Sequence, residues 1–163
     1  MPMPHVRRLA RHASTANGVT AWLRDMHPGL QACDQKAPTT IDAFAVLGGC
    51  IGADELAARI SATGRDGFGT VARWIVRRQV LVVHTAEGDW LPRCQFTQPA
   101  WTLVGSVPRV LRDLTPLMSD AEIAAWFCAP NEWLQGGSPA AALLMAPSEA
   151  RAAARVQRLL IAI

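Results

Sequence analysis

The sequence predicts a mainly α protein with one β-hairpin: a winged-helix-like middle segment followed by a compact C-terminal helical module. Three observations carry that prediction. Apolar residues recur at helical spacing through residues 54–61, 68–78 and 107–117. A β-branched run at residues 80–84 is followed by the turn Glu87-Gly88-Asp89 and a second apolar stretch at 90–96, the pattern of a hairpin. From Ser119 onward the chain alternates helix-capping serines with proline stops.

Composition sets the frame. With 163 residues, 50% of them apolar and 18% charged, the chain can bury a sizeable core, and general disorder is excluded. Cys33, Cys50, Cys94 and Cys128 form no C-x-x-C pair, and the four histidines are equally scattered. The cysteines therefore read as buried small hydrophobes, and no metal or other cofactor is expected. No apolar run reaches the roughly 18 residues that span a bilayer. Arg7, Arg8 and Arg11 are not followed by the apolar stretch of a secretory signal, so a cytoplasmic protein is expected. The net charge of +3 is unevenly spread, with +2 over residues 1–50, +3 over 51–112 and −2 over 113–163. Only Lys36 among the 16 basic residues is not arginine, and the front two-thirds suits phosphates better than the back third.

Taken in order, residues 1–40 read as an irregular segment punctuated by Pro2, Pro4, the S-T-A-N-G run, Pro28-Gly29 and Pro38. Its first dozen residues are expected to be poorly ordered. Within it Val19–Met26 is a candidate short helix around Trp22 and Leu23. Residues 41–47 make a short helix or strand that ends at Gly48-Gly49. Residues 54–61 form a helix with Asp54 and Glu55 in its first turn, where they complement the helix dipole, and with Leu56, Ala57 and Ile60 on one face.

After a loop with Gly64 and Gly67, residues 68–78 form a second helix. Phe68, Val71, Ala72 and Ile75 face inward and Trp74 lies on the flank. The hairpin of 80–84 and 90–96 follows, with Pro92 expected on a sheet edge. Helix, turn, helix and hairpin is the order of a winged helix-turn-helix, here spanning residues 41–98. Thr70, Arg73 and Arg77, spaced three and four apart, would share the outward face of its second helix, with Arg78 at the end. They are the candidate DNA contacts, to phosphates or base edges. The bland alternative is a solvated amphipathic helix.

Residues 98–106 read as a connector. A helix over 107–117 puts Val107, Val110, Leu111 and Leu114 on one face, with Pro108 in its first turn. Ser119 and Glu122 then form a capping box, and Pro130 ends that helix. Ser138 caps the next helix with Pro139 at its first position. Pro147 is expected to stop it and Ser148 to cap the last. Residues 99–163 thus form one helical unit. Its final helix ends on an uncharged L-L-I-A-I, which either packs into its own domain or is held by another chain.

Catalytic motifs are missing from the sequence. There is no G-x-G-x-x-G, phosphate loop, nucleophile elbow or H-E-x-x-H, and His84 reads as a packing or surface histidine. A binding protein is expected rather than an enzyme.

From Trp90 onward the chain resembles the toxin-binding domain of Xre/MbcA/ParS-type bacterial antitoxins. The resemblance is carried by L-P-x-x-Q-F at 91–96, W-F-x-x-P-N-x-W-L at 126–134, G-G-S-P at 136–139 and A-R-A-A-A-R-V at 150–156. It implies a partner toxin of the RES-domain kind, which degrades NAD and is blocked by binding. It further implies a homodimer and repression of the protein's own operon by binding operator DNA. On this reading the toxin contacts are Trp126, Asn131, Trp133, Leu134 and Pro139, with Leu160 and Ile163 of the apolar end. A stand-alone winged-helix transcriptional regulator is the alternative.

Overall fold

In a computed structural model of the chain, the residues described are 18–30 and 37–163. The first dozen residues, expected to be poorly ordered, with Arg7, Arg8 and Arg11, and Cys33 lie outside them. Among the described residues the protein is mainly helical, with a small antiparallel sheet.

Helix α1 spans Val19–Met26, the candidate helix of the sequence, and buries Val19 and Leu23. Helix α2 (Ala37–Ala43) and a 3-10 turn (Ala45–Leu47) follow, and Phe44 between them is wholly buried. The 3-10 turn ends because Gly48, its cap, and Gly49 both take positive φ, 93° and 75°, which a side-chain-bearing residue adopts only under strain. Beyond them strand β1 (Cys50–Gly52) runs straight into helix α3 (Ala53–Ser61). Leu56, Ala57 and Ile60 of α3 are buried, on the face read from the sequence.

Helix α4 (Gly67–Val76) packs on α3, and Asp66 caps it by accepting from the Gly69 N–H at 2.9 Å. The crossing is so close that a Cβ on Gly67 would collide with the Ala57 carbonyl. Glycine is required there for packing rather than for φ. The helix is shorter than the sequence pattern suggests. Arg77 is its C-cap, and Arg78 lies beyond it in the left-handed region at φ 52°.

Strands β2 (Val83–His84) and β3 (Asp89–Pro92) form the predicted hairpin, but β1 pairs with the other side of β3. The sheet order is therefore β1-β3-β2, and β3 is central. This corrects the expectation that Pro92 marks an edge. Pro92 is the last residue of β3, opposite Cys50, and the Arg93 N–H resumes the ladder by donating to the Gly49 carbonyl at 2.9 Å. Pro92 thus falls at a non-hydrogen-bonded position of that ladder, where its missing N–H costs nothing.

Only two residues of the 80–84 run enter the ladder, and a side chain explains why. Gln95, fully buried, accepts from the Leu81 N–H at 2.7 Å and donates to the carbonyls of Leu81 (3.0 Å) and Pro92 (3.3 Å). The side-chain amide takes the place of a neighbouring strand, so the backbone of Leu81 is satisfied without one.

The expected connector at 98–106 contains a second hairpin, β4 (Phe96–Thr97) with β5 (Thr102–Leu103), and the Gln98–Pro99 bond at its turn is cis. Trp101, at φ 53°, folds back into the core against Phe96, with the guanidinium carbons of Arg59 and Arg93 5.6 and 5.7 Å from the ring centre.

The C-terminal unit comprises α5 (Val107–Leu114), α6 (Asp120–Cys128), α7 (Pro139–Met145) and α8 (Pro147–Ala162). Both halves of the Ser119–Glu122 capping box are present, with the Ser119 N–H donating to the Glu122 carboxylate at 2.7 Å. That bond from the backbone, with a second from the Ser119 hydroxyl, holds the Glu122 carboxyl below the usual carboxylate range. Ser138 caps α7 as predicted, accepting from the Ala141 N–H.

Pro147 departs from its reading as a stop. It occupies the first turn of α8, with Ala146 as N-cap, so Ser148 caps nothing. A proline excluded from one helix interior is equally suited to the first turn of the next, where its N–H has no intrahelical partner. The buried line Ala150, Ala153 and Ala154 lets α8 pack closely beside α5, and the Ser106 hydroxyl donates to the Leu143 carbonyl at 2.6 Å.

Two apolar clusters fill the interior. One joins α1, α3, α4 and the sheet around Leu23, Leu56, Ile60, Val71 and Leu91. The other joins the C-terminal helices around Leu111, Leu114, Ile123, Phe127 and Leu143, and takes in Phe44 and Leu81 from the first half. The halves are stitched together rather than linked in series.

Candidate functional site

Helix α4 carries the first set of predicted contacts. Thr70 is half-buried, while Arg73 and Arg77 are exposed. Neither arginine has an acidic partner among the described residues. Arg78 does not join them. The left-handed turn after Arg77 redirects its side chain to α6, where its Nη2 lies 2.7 Å from Asp120 Oδ1. The outward set reduces to Thr70, Arg73 and Arg77, because a residue past the helix end no longer follows helical spacing.

The motif residues of the C-terminal unit divide between core and surface. Trp126 packs on Phe127 in the second cluster, and Pro139 is buried. Both are structural, and the Trp126 indole N–H finds no hydrogen-bond partner. Asn131 is a local cap whose side-chain oxygen accepts from the Trp133 N–H at 3.0 Å, while its own N–H reaches the Gly137 carbonyl at 3.0 Å. Gln135 and Gly136 take φ of 55° and 83°, and the Gly136 N–H closes back on the Asn131 carbonyl. The P-N-x-W-L segment is therefore a rigid turn. Leu134 tucks against the core, and Trp133 stands out, 65% exposed.

Leu159, Leu160 and Ile163 are also mostly exposed, at 65%, 61% and 101%. Arg155 and Arg158 lie within ion-pair reach of Asp113 near the end of α5, at 3.9 and 3.6 Å. Beyond that tether, the last turn of α8 extends its apolar residues into solvent. Of the two outcomes left open for this end, packing into its own domain is not found for Leu159, Leu160 and Ile163. Leu144 and Met145 at the end of α7 are exposed as well, and nothing in the sequence pattern separated them from core residues.

One pairing was not visible in the sequence. His84 Nδ1 lies 2.7 Å from Asp89 Oδ1 across the hairpin, and both side chains are nearly inaccessible. The register of the hairpin makes the two residues partners. His84 also lines a pocket of about 400 Å3 together with Arg78, Ser119 and Asp120. Of its other lining groups Arg78 pairs with Asp120, the Ser119 hydroxyl donates to Glu122 outside the pocket, and Thr40 adds a second hydroxyl.

Cys50, Cys94 and Cys128, far apart in sequence, converge beside the second cluster. Burial pushes the Cys50 thiol up to about 11, and the neighbouring Cys128 adds to this while Arg93 opposes it. Burial, with Cys128 and Cys50 nearby, raises Cys94 to about 12; burial also raises Cys128. These groups are protonated thiols at neutral pH, inert as nucleophiles. Among the described residues no group of three or more His, Cys, Asp or Glu is arranged to hold a metal ion. Nor is any described helix long and apolar enough to cross a membrane.

No family model, curated protein or solved structure matches the chain.

Proposed function

We propose that this protein acts by binding a partner protein through its C-terminal helical unit, as an antitoxin-like module that neutralises a RES-type NAD-degrading toxin. The observation that carries the reading is the apolar end of α8, where Leu159, Leu160 and Ile163 are exposed beside a helix otherwise fixed by small residues. Exposed apolar side chains in a group are characteristic of protein contacts, and tryptophan is enriched among interface anchors, which suits Trp133. The identity of the partner rests on the motifs at 91–96, 126–134 and 136–139. Trp126 and Pro139 shape this unit from within, so the direct contacts are Trp133, Leu160 and Ile163.

Co-expression with the product of the adjacent gene, followed by size-exclusion chromatography, tests this. One shared peak is expected, and two separate peaks would sink the reading. Replacing Leu159, Leu160 and Ile161 by serine should dissociate the complex while leaving the thermal melt of the free protein in place.

A second reading, operator-DNA binding by a winged-helix-like segment, is favoured by one observation. The order α1, α2, β1, α3, α4, β2, β3, with sheet order β1-β3-β2, has a hairpin following a helix that bears Arg73 and Arg77. Binding to the protein's own promoter should then fall steeply with salt, because each phosphate contact releases counterions. An Arg73→Ala, Arg77→Ala variant with unchanged affinity would remove these residues from consideration.

A further inference from the structure

Between α1 and α4 lies a groove of about 320 Å3 that the partner-protein reading does not use and that shares Arg73 and Arg77 with the DNA reading. Its floor is Trp22, Met26, Phe68 and Val76, and Arg73 and Arg77 stand on its rim. The floor is held by edge-to-face ring contacts, Trp22 on Phe68 at 5.8 Å and on His27 at 5.5 Å. Asp66 also borders the groove, but its carboxylate is engaged in capping α4. The rim therefore presents two guanidinium groups that have no acidic partner among the described residues, above an apolar bed. Arg59 and Arg78, by contrast, each hold a carboxylate at 2.7 Å.

Size and charge narrow the occupant. The volume lies at the lower end of the ~300–1,000 Å3 typical of small-molecule pockets. Residues 1–17, which precede α1 in the chain, carry Arg7, Arg8 and Arg11 and no acidic residue, so their charge does not complement the rim. An anion does, because a guanidinium pairs with a carboxylate through two parallel hydrogen bonds. We propose that this groove binds a small amphipathic organic acid, its apolar body on Trp22 and Phe68 and its carboxylate between Arg73 and Arg77. The site shares no residue with the apolar end of α8, so it stands or falls apart from the partner-protein reading.

Calorimetric titration of the full chain with octanoate, and with 1-octanol as a neutral probe of equal length, tests the proposal. Saturable one-to-one binding of octanoate is expected, with the alcohol weaker by at least about tenfold. Arg73→Gln with Arg77→Gln, both at exposed positions, should abolish that difference without altering the melt. Met26→Glu, on the floor at a residue 56% exposed, should repel the acid and provides a second variant if the first folds poorly. Equal binding of acid and alcohol, octanoate binding unchanged in the double variant, or no saturable heat would each overturn the proposal. So would light scattering that shows a dimer dissociated by Met26→Glu, which would assign the groove to a second copy of the chain.

Discussion

In the sheet-bearing half, from α1 to β5, three of the four tryptophans, Trp22, Trp74 and Trp101, meet other rings or guanidinium groups. Trp22 meets Phe68 and His27, Trp74 stacks on Phe96 at 5.6 Å, and Trp101 lies between Phe96 and two arginines. In the helical half, Trp126 packs on Phe127 with its N–H unpartnered, and Trp133 stands in solvent. The first half encloses most of its rings, with Met26 and Val46 exposed. The second buries Trp126 and Phe127 among alanine, leucine and valine but leaves Trp133, Leu144, Met145 and the apolar end of α8 facing out. That contrast teaches where each half can spare contacts: in the first, a gap beside α4; in the second, the ends of α7 and α8.

The contrast can be broken most severely at Gln95. Gln95→Leu would leave the Leu81 N–H and carbonyl unpaired inside the protein, at a cost on the order of 4 kcal/mol. Urea unfolding measures it, and a loss below about 1 kcal/mol would show that water can replace the amide. Trp126→Ala should cost about 3–5 kcal/mol through the cavity it leaves. Trp126→Phe should cost far less, because the indole N–H it removes has no partner to lose. If the two variants were equally damaging, Trp126 would be more than a filler of space.

Loss of a cap is a smaller effect in either half. Asp66→Ala and Ser119→Ala should each cost about 1 kcal/mol in thermal or urea unfolding. The Ser119 cap adds a pH signature. Because the Glu122 pKa is depressed in the folded protein, its contribution is present above the ordinary carboxylate range and is lost as pH falls through the folded value. The stability difference between wild type and Glu122→Gln should therefore shrink on acidification. The least effect on stability is expected at the apolar end. Serine at Leu159 and Leu160 should change it by less than about 0.5 kcal/mol each. A larger loss would place this turn in the core and remove it as a contact surface.

The places where sequence and structure part company share a cause. Helices α1, α3 and α5 and the caps at Ser119 and Ser138 were legible because periodicity and capping are local, decided within a turn or two of chain. Strand β1 was not. Three residues carry no alternation to read, and they become a strand because β3 offers them a partner. The site followed the same division. Arg73 and Arg77 are outward because they sit on a helix whose inward face was plain. Arg78 was misplaced because a left-handed turn ends the spacing on which the reading depended.

By itself, then, the sequence determined the mainly helical class, most helix positions, the hairpin and the stop at Pro130. These follow from backbone hydrogen-bonding rules that act over a few residues. Tertiary structure alone decided that β3 is central, that Trp126 is interior while Trp133 is not, and that three cysteines meet. Each depends on which distant segment supplies the partner, and a short stretch of chain carries no record of that.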